Sequence, residues 1–220
     1  MKRTKLRERI LPVYSRGEDC MNMVTHIVGG GIGLLILVAC LLRAYNGWDL
    51  LGSWVYGSSM LFVYTISSVY HGLRPGMAKK VLQVLDHCAI YTLIAGTYTP
   101  ILLSAMVPAY PGIGWGLLVW QWGLAILAVT LTAIDLKRYK VFSMVCYIGM
   151  GWSILAFLPQ ARAVLGSAGF GWLLAGGIVY TIGAVIFGIG SKVRWMHSVF
   201  HIFVVAGSVL QAVAVIWYVL

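Results

Sequence analysis

His197 and His201 stand four residues apart. On a helix that spacing puts both imidazoles on one face, about one turn apart, as ligation of a single metal ion requires. His71 supplies a third neutral nitrogen donor from elsewhere in the chain. Three histidines with one open position make the protein's half of a catalytic zinc site. Asp86 is the acidic residue that falls clearly within an apolar run, placed to accept a hydrogen bond from water at such a site. Ser67 lies one helical turn before His71, on the same face, within reach of a substrate oxygen or that water. In an apolar setting these residue types point to metal-assisted hydrolysis. The metal would bring the pKa of its water to about 7, Asp86 would act as general base and then proton donor, and Ser67 would help hold an oxyanion. The plainer alternative for Asp86 is a buried group that pairs helices. His26 and His87 are expected to be polar anchors at a membrane interface.

The elements that must position these groups follow from composition. Of 220 residues, 60% are hydrophobic and 10% charged, against about a quarter charged in a soluble domain. Apolar runs separated by charges give seven spans: Val24–Leu42, Leu50–His71, Val81–Leu103, Gly112–Ile134, Val141–Leu158, Gly169–Gly190, and Trp195 to the C-terminus. At about 20 residues per crossing these use almost the whole length, so residues 1–220 are expected to be one membrane domain. The runs do not alternate as barrel strands do, and lipid offers the backbone no partners. The expected fold is therefore an all-α seven-helix bundle. Gly29 and Gly33 have the G-x-x-x-G spacing of close helix packing, and Pro100 is expected to kink the third span. Ser15-Arg16-Gly17-Glu18 has the form of a capping box. A helix starting there puts Glu18, Asn22 and His26 on one face, either as a polar stripe reaching an inner site or as the wet side of an interfacial helix. Cys20, Cys40, Cys88 and Cys146 are scattered, without the pattern of a disulfide framework. No cleavage site follows a short apolar stretch, so no removable signal peptide is expected.

Charge sets the orientation. Of 16 Lys and Arg residues, only Arg43 and Arg162 fall on one side of the predicted spans. Lys2, Arg3, Lys5, Arg7, Arg9 and Arg16 precede the first span. Arg74, Lys79 and Lys80, then Lys137, Arg138 and Lys140, then Lys192 and Arg194 fill alternate loops. The basic side should be cytoplasmic, which puts the N-terminus in the cytoplasm, the C-terminus outside, and the protein in the plasma (inner) membrane. Net charge +10 then reflects contact with lipid head groups rather than nucleic acid. All five histidines and Asp86 fall at the cytoplasmic ends of four spans, so they should meet at one depth. An ionisable group within a span costs about 2.5–3.5 kcal/mol on insertion scales and is a functional candidate by default. A conducting path needs polar groups through the whole depth, and the outer halves of the spans are largely apolar, with only Gln121 and a few Ser and Thr residues. A retinal protein needs a lysine within a span, and every lysine lies in the tail or a loop.

Ser67-Ser68-Val69-Tyr70-His71, Leu85-Asp86-His87-Cys88 continuing to Thr97-Tyr98-Thr99-Pro100, and His197-Ser198-Val199-Phe200-His201 resemble the motifs of the hemolysin III family, the bacterial branch of the progestin and adiponectin receptor superfamily. Glu18, Asn22 and Thr25-His26 fit the same pattern, and the likeness covers nearly the whole chain. The resemblance implies a seven-helix receptor-like bundle with an inward N-terminus and a zinc ion held by His71, His197 and His201. Asp86 would act there through water, beside Ser67. The stretch between His71 and Asp86 is slightly shorter than in the animal receptors. Related alkaline ceramidases are zinc-dependent lipid amidases, and the family name comes from a lytic activity ascribed to some members, others being linked to membrane lipid homeostasis. Three functions stay open: a zinc-dependent hydrolase of lipid amides or esters, a non-enzymatic sensor or receptor with structural zinc, and a lytic or pore-forming protein. Membrane lipids are the expected partners. Small-residue faces permit a homo-oligomer but serve internal packing equally well.

Overall fold

The computed structural model describes residues 4–190 and 193–220. Lys2, Arg3 and Lys192, counted above among the basic residues, lie outside the described residues. The described part is helical, without strands. After a short 3-10 turn at Leu6–Glu8 come α1 (Arg16–Arg43), α2 (Gly47–Gly72), α3 (Met77–Pro100), α4 (Pro111–Ile134), α5 (Lys140–Trp152), α6 (Leu158–Gly190) and α7 (Met196–Tyr218). Five stretches of the described residues are long and apolar enough to cross a membrane: Arg16–Arg43, Met77–Ala109, Pro111–Ile134, Lys140–Gly188 and Met196–Tyr218. The protein is thus a helical membrane protein. α2 is as long but more polar, because its buried face carries Ser53, Ser59, Ser67, Ser68 and His71.

Local signals account for the helix ends. The capping box forms as expected: Ser15 Oγ accepts from the Glu18 N–H while the Glu18 carboxylate accepts from the Ser15 N–H at 2.9 Å, satisfying two orphan donors. α1 therefore starts eight residues before the first apolar run, and Glu18, Asp19 and Asn22 belong to it. Asn46 caps α2 through the N–H groups of Trp48 and Asp49.

Pro100, where a kink is expected, holds helical angles (φ −63°, ψ −40°), and the helix beyond it widens into a π-helical stretch, Ile101–Met106, before the turn Val107–Ala109. Proline removes one backbone donor, and a π bulge is one way to absorb the gap. Helical structure continues past Leu158, the expected end of the fifth span. α5 runs through a 3-10 stretch, Ser153–Phe157, straight into α6, and the helical backbone is interrupted at Gly166 (φ 67°, ψ 170°). That conformation is open to glycine at little cost.

α1 packs on α2 and α7, α2 on α3, α3 on α4, and α6 on α7. α3 is the most enclosed, with 67% of its apolar window buried, against 33% in α1. Because lipid is as apolar as a leucine face, helices in a bilayer hold together by close van der Waals contact and interhelical hydrogen bonds. Both are present. A Cβ at Gly29 would lie 2.9 Å from the Tyr64 ring, so α1 and α2 meet there only because that position is glycine. Tyr64 Oη donates to Ser208 Oγ at 2.6 Å, Tyr98 Oη to the Gly151 carbonyl at 2.8 Å, and Trp152 Nε1 to Thr181 Oγ1 at 3.0 Å.

Candidate metal centre

α2 ends one residue after His71, and α7 begins one residue before His197. The packing of α1 against both helices brings the three histidines together. One ligand nitrogen from each of His71, His197 and His201 lies within 4.8 Å of the others. His197 Nε2 is 3.4 Å from His71 Nε2 and 3.1 Å from His201 Nε2. Asp19 Oδ1, a carboxylate oxygen, lies 3.0 Å from His71 Nδ1, and the carbonyl of Asn22 lies 3.2 Å from His201 Nδ1. Both oxygens can only accept, so each Nδ1 carries the proton and each Nε2 presents a lone pair. With all three imidazoles neutral, at most one proton, on His197 Nε2, could serve three converging nitrogens.

A tetrahedral ion with metal–nitrogen bonds of 2.0–2.1 Å would separate its ligand nitrogens by about 3.3–3.4 Å. The donor set, the spacing and the outer hydrogen bonds to carboxylate and carbonyl all fit a metal such as zinc.

α1 supplies most of the support. Asp19 Oδ2 pairs with Lys79 Nζ at 3.1 Å. Asn22 Oδ1 accepts from Ser198 Oγ at 2.6 Å. Glu18 Oε1 accepts from the Trp195 N–H at 2.8 Å. Trp195 holds a left-handed conformation (φ 66°), costly for a bulky residue, and the Glu18 bond fixes it where α7 begins. Tyr14 stacks on His197, with ring centroids 5.0 Å apart and planes 19° apart. Burial beside Asp86, Asp19 and Glu18 pushes its phenol up, so the ring stays a neutral cover.

Asp86 and Ser67 line a largely apolar cavity together with His197 and His201. Neither hydrogen-bonds to the three histidines; His87 Nδ1 lies 4.0 Å from Asp86 Oδ2. His87 Nδ1 donates to the Gln83 carbonyl at 2.8 Å and stays outside the cluster. His26 departs from its expected role as an interface anchor. It is 4% exposed, stacks on His201 with centroids 3.8 Å apart, and both its nitrogens are buried without a partner. Glu18, Asn22 and His26 thus form the inward polar stripe rather than a wet face. Sequence reasoning missed Asp19, Lys79, Ser198, Tyr14 and Trp195. Asp19 could have been found, because it sits three residues before Asn22 on the helix that the capping box starts.

Apolar helices around a buried, carboxylate-supported histidine cluster define a membrane protein able to hold a metal ion. Residues 14–212 match the family described as Haemolysin-III related, and the chain belongs to that family. It is 36% identical to the hemolysin-3 homolog of Bacillus subtilis over 94% of this chain and 96% of the relative. It is 35% identical to hemolysin-3 of Bacillus cereus over 92% of each. More distantly, it is 24% identical to the human monocyte to macrophage differentiation factor, covering 92% of this chain and 83% of that one. The last likeness supports the wider progestin and adiponectin receptor superfamily.

Proposed function

We propose that this chain is a zinc-dependent hydrolase of lipid amides or esters, built as seven membrane spans with its N-terminus in the cytoplasm of a plasma-membrane protein. The observation that carries the chemistry is the set of oriented Nε2 lone pairs at a cavity whose wall also holds Asp86 and Ser67. A zinc ion, once bound, supplies Lewis acidity and makes water a competent nucleophile near neutral pH. Asp19 and the Asn22 carbonyl keep His71 and His201 in the tautomers that bind it. Asp86 Oδ takes the proton of the attacking water and returns it to the leaving amine or alcohol. Ser67 Oγ donates to the carbonyl oxygen as charge develops there. The apolar wall excludes bulk water and receives hydrocarbon.

Two facts support seven crossings. Lys140–Gly188 spans 49 residues, which at about 1.5 Å per residue is more than twice the bilayer core, and Gly166 divides it. α2, at 26 residues, is long enough to cross with its polar face turned to the bundle. The described basic residues of the tail and of the turns that follow α2, α4 and α6 support the inward N-terminus.

The test is metal content of the purified protein by mass spectrometry, beside turnover of a panel of lipid amides and esters. About one zinc per chain is expected, and none in His197→Ala. Asp86→Asn should keep the zinc and lose about 10²–10⁴-fold in turnover. Zinc retained with no turnover of any amide or ester sinks the hydrolase and leaves a structural zinc joining α1, α2 and α7.

A further inference from the structure

Residues 4–14 fold back over the histidine end of the bundle as a strap. The Thr4 N–H donates to Asp135 Oδ2 at 2.8 Å, and Lys80 Nζ donates to the Arg7 carbonyl at 2.6 Å. That Thr4 bond, with the Arg138 and Lys137 N–H groups, holds the Asp135 carboxyl below its usual range. Beneath the strap is a cavity of about 650 Å³. It adjoins the apolar cavity, and Asp86, His87, Met144, Tyr147, Phe187 and His197 line both.

Arg9 lines the strap end and is 8% exposed. Only Nη2 has a contact, a long one of 3.4 Å to the Ala133 carbonyl, while Nε and Nη1 are buried without a partner. Among the described residues no carboxylate pairs with it. The acidic groups lining this cavity are Glu8, Glu18 and Asp86. Glu18 is occupied by Ser15 and by the Trp195 N–H, and Asp86 lies beside His87. Lys137 and Lys140 add exposed positive charge at the rim. A buried guanidinium with two idle donors is expensive unless something accepts from them. Its planar fork matches the two oxygens of a phosphate or carboxylate.

We propose that the strap end binds the oxyanion head group of a lipid on the Arg9 guanidinium, and that the two adjoining cavities together take an anionic amphiphile with its head under the strap and its hydrocarbon beyond the histidines. This rests on the hydrolase reading only in placing the acyl linkage at the histidine cluster. The head-group site itself is independent of turnover.

The test uses the full-length protein in neutral detergent and calorimetric titration with three probes: dioctanoyl phosphatidate, dioctanoylglycerol with the same tails and no charge, and inorganic phosphate. Phosphatidate should bind at least about tenfold tighter than dioctanoylglycerol, the scale of one charge-assisted hydrogen bond. Arg9→Gln should remove that preference without changing dioctanoylglycerol affinity, and Arg9→Lys should restore part of it. Retained zinc content and an unchanged melting temperature verify that each variant folds. Should Arg9→Gln fail to fold, Lys137→Gln with Lys140→Gln, both at exposed positions, should still lower phosphatidate affinity severalfold. Inorganic phosphate should neither bind nor compete at concentrations where phosphatidate saturates. Equal affinity for the charged and uncharged lipids overturns the proposal, as does a preference that survives Arg9→Gln. Inorganic phosphate binding as tightly as phosphatidate also overturns it, since the site would then serve a soluble anion. Arg9-dependent binding without hydrolysis of any lipid would sink the hydrolase reading and leave this one standing.

Discussion

The proton on Nδ1 decides what His71 and His201 can do, and α1 controls that proton. Asp19 holds the one on His71 and in turn holds Lys79, which is 3% exposed. A carboxylate behind a ligand histidine raises its basicity, and losing such a partner typically costs 10–100-fold in metal affinity. Asp19→Asn keeps an acceptor for His71 but removes the charge, so zinc affinity should fall by about 10–100-fold in a chelator competition titration. The same change leaves Lys79 without its counter-ion, which would lower stability for a separate reason. Adding Lys79→Met should recover melting temperature but not zinc affinity. Recovery of both would mean that Asp19 matters only as the partner of Lys79. His26 shows the limit of assigning roles by residue type. Its depth along α1 was legible, but its stacking on His201 depends on how α1 is rotated against α7, which a single sequence does not encode.

Between elements, helix contact depends on small residues placed where a side chain must not be. A methyl at Gly29 meets Tyr64 at 2.9 Å and Val205 at 3.1 Å, while Gly31, two residues on, has open space. Gly29→Leu should therefore separate α1 from α2 and α7 and lower melting temperature, with zinc loss following because Asp19 and Asn22 ride on α1. Overpacking of this kind costs about 1–3 kcal/mol. Gly31→Leu, facing outward, should change neither. If both variants behave alike in thermal melts and zinc content, the α1 interface is not where the glycine pattern puts it. That pattern was legible because close approach needs glycine at fixed spacing. The ends of the helices were less so, because hydropathy marks where the chain turns apolar and not where it turns helical. Ser15 and Glu18 gave the true start of α1, whereas Val24 marked only the apolar part. Pro159 directly follows the expected end of the fifth span, yet the chain carries helical structure past it to Gly166, whose left-handed φ makes the interruption. Proline fits the first turn of a helix without loss, and nothing at Gly166 stands apart from the many other glycines of the sequence.

For the molecule as a whole, polarity is concentrated at one end. The histidine cluster, Asp86, the strap and the basic turns all gather where α1, α3 and α7 begin and α2 ends, whereas the charged side chains of the far end are Arg43, Asp49 and Arg162. Two consequences are coupled by the same geometry. The end that holds the metal is the end where the N-terminal strap folds back, so whichever face of the membrane carries the strap also admits metal and any charged ligand. The positive-inside rule assigns that face to the cytoplasm. Cysteine labelling separates the two orientations. Cys20 is exposed, and Cys40, Cys88 and Cys146 are buried, so Cys20→Ser leaves a background slow to react. Tyr45, 88% exposed between α1 and α2, and Arg74, exposed between α2 and α3, lie at opposite ends of α2. On intact cells a membrane-impermeant maleimide should label Tyr45→Cys and leave Arg74→Cys unlabelled until the membrane is opened. The reverse result would turn the molecule over, place the histidine cluster on the outer face, and make external rather than cytoplasmic lipid and zinc its supply. Labelling of both on intact cells would mean that α2 does not cross, which would remove one span and the seven-span reading with it.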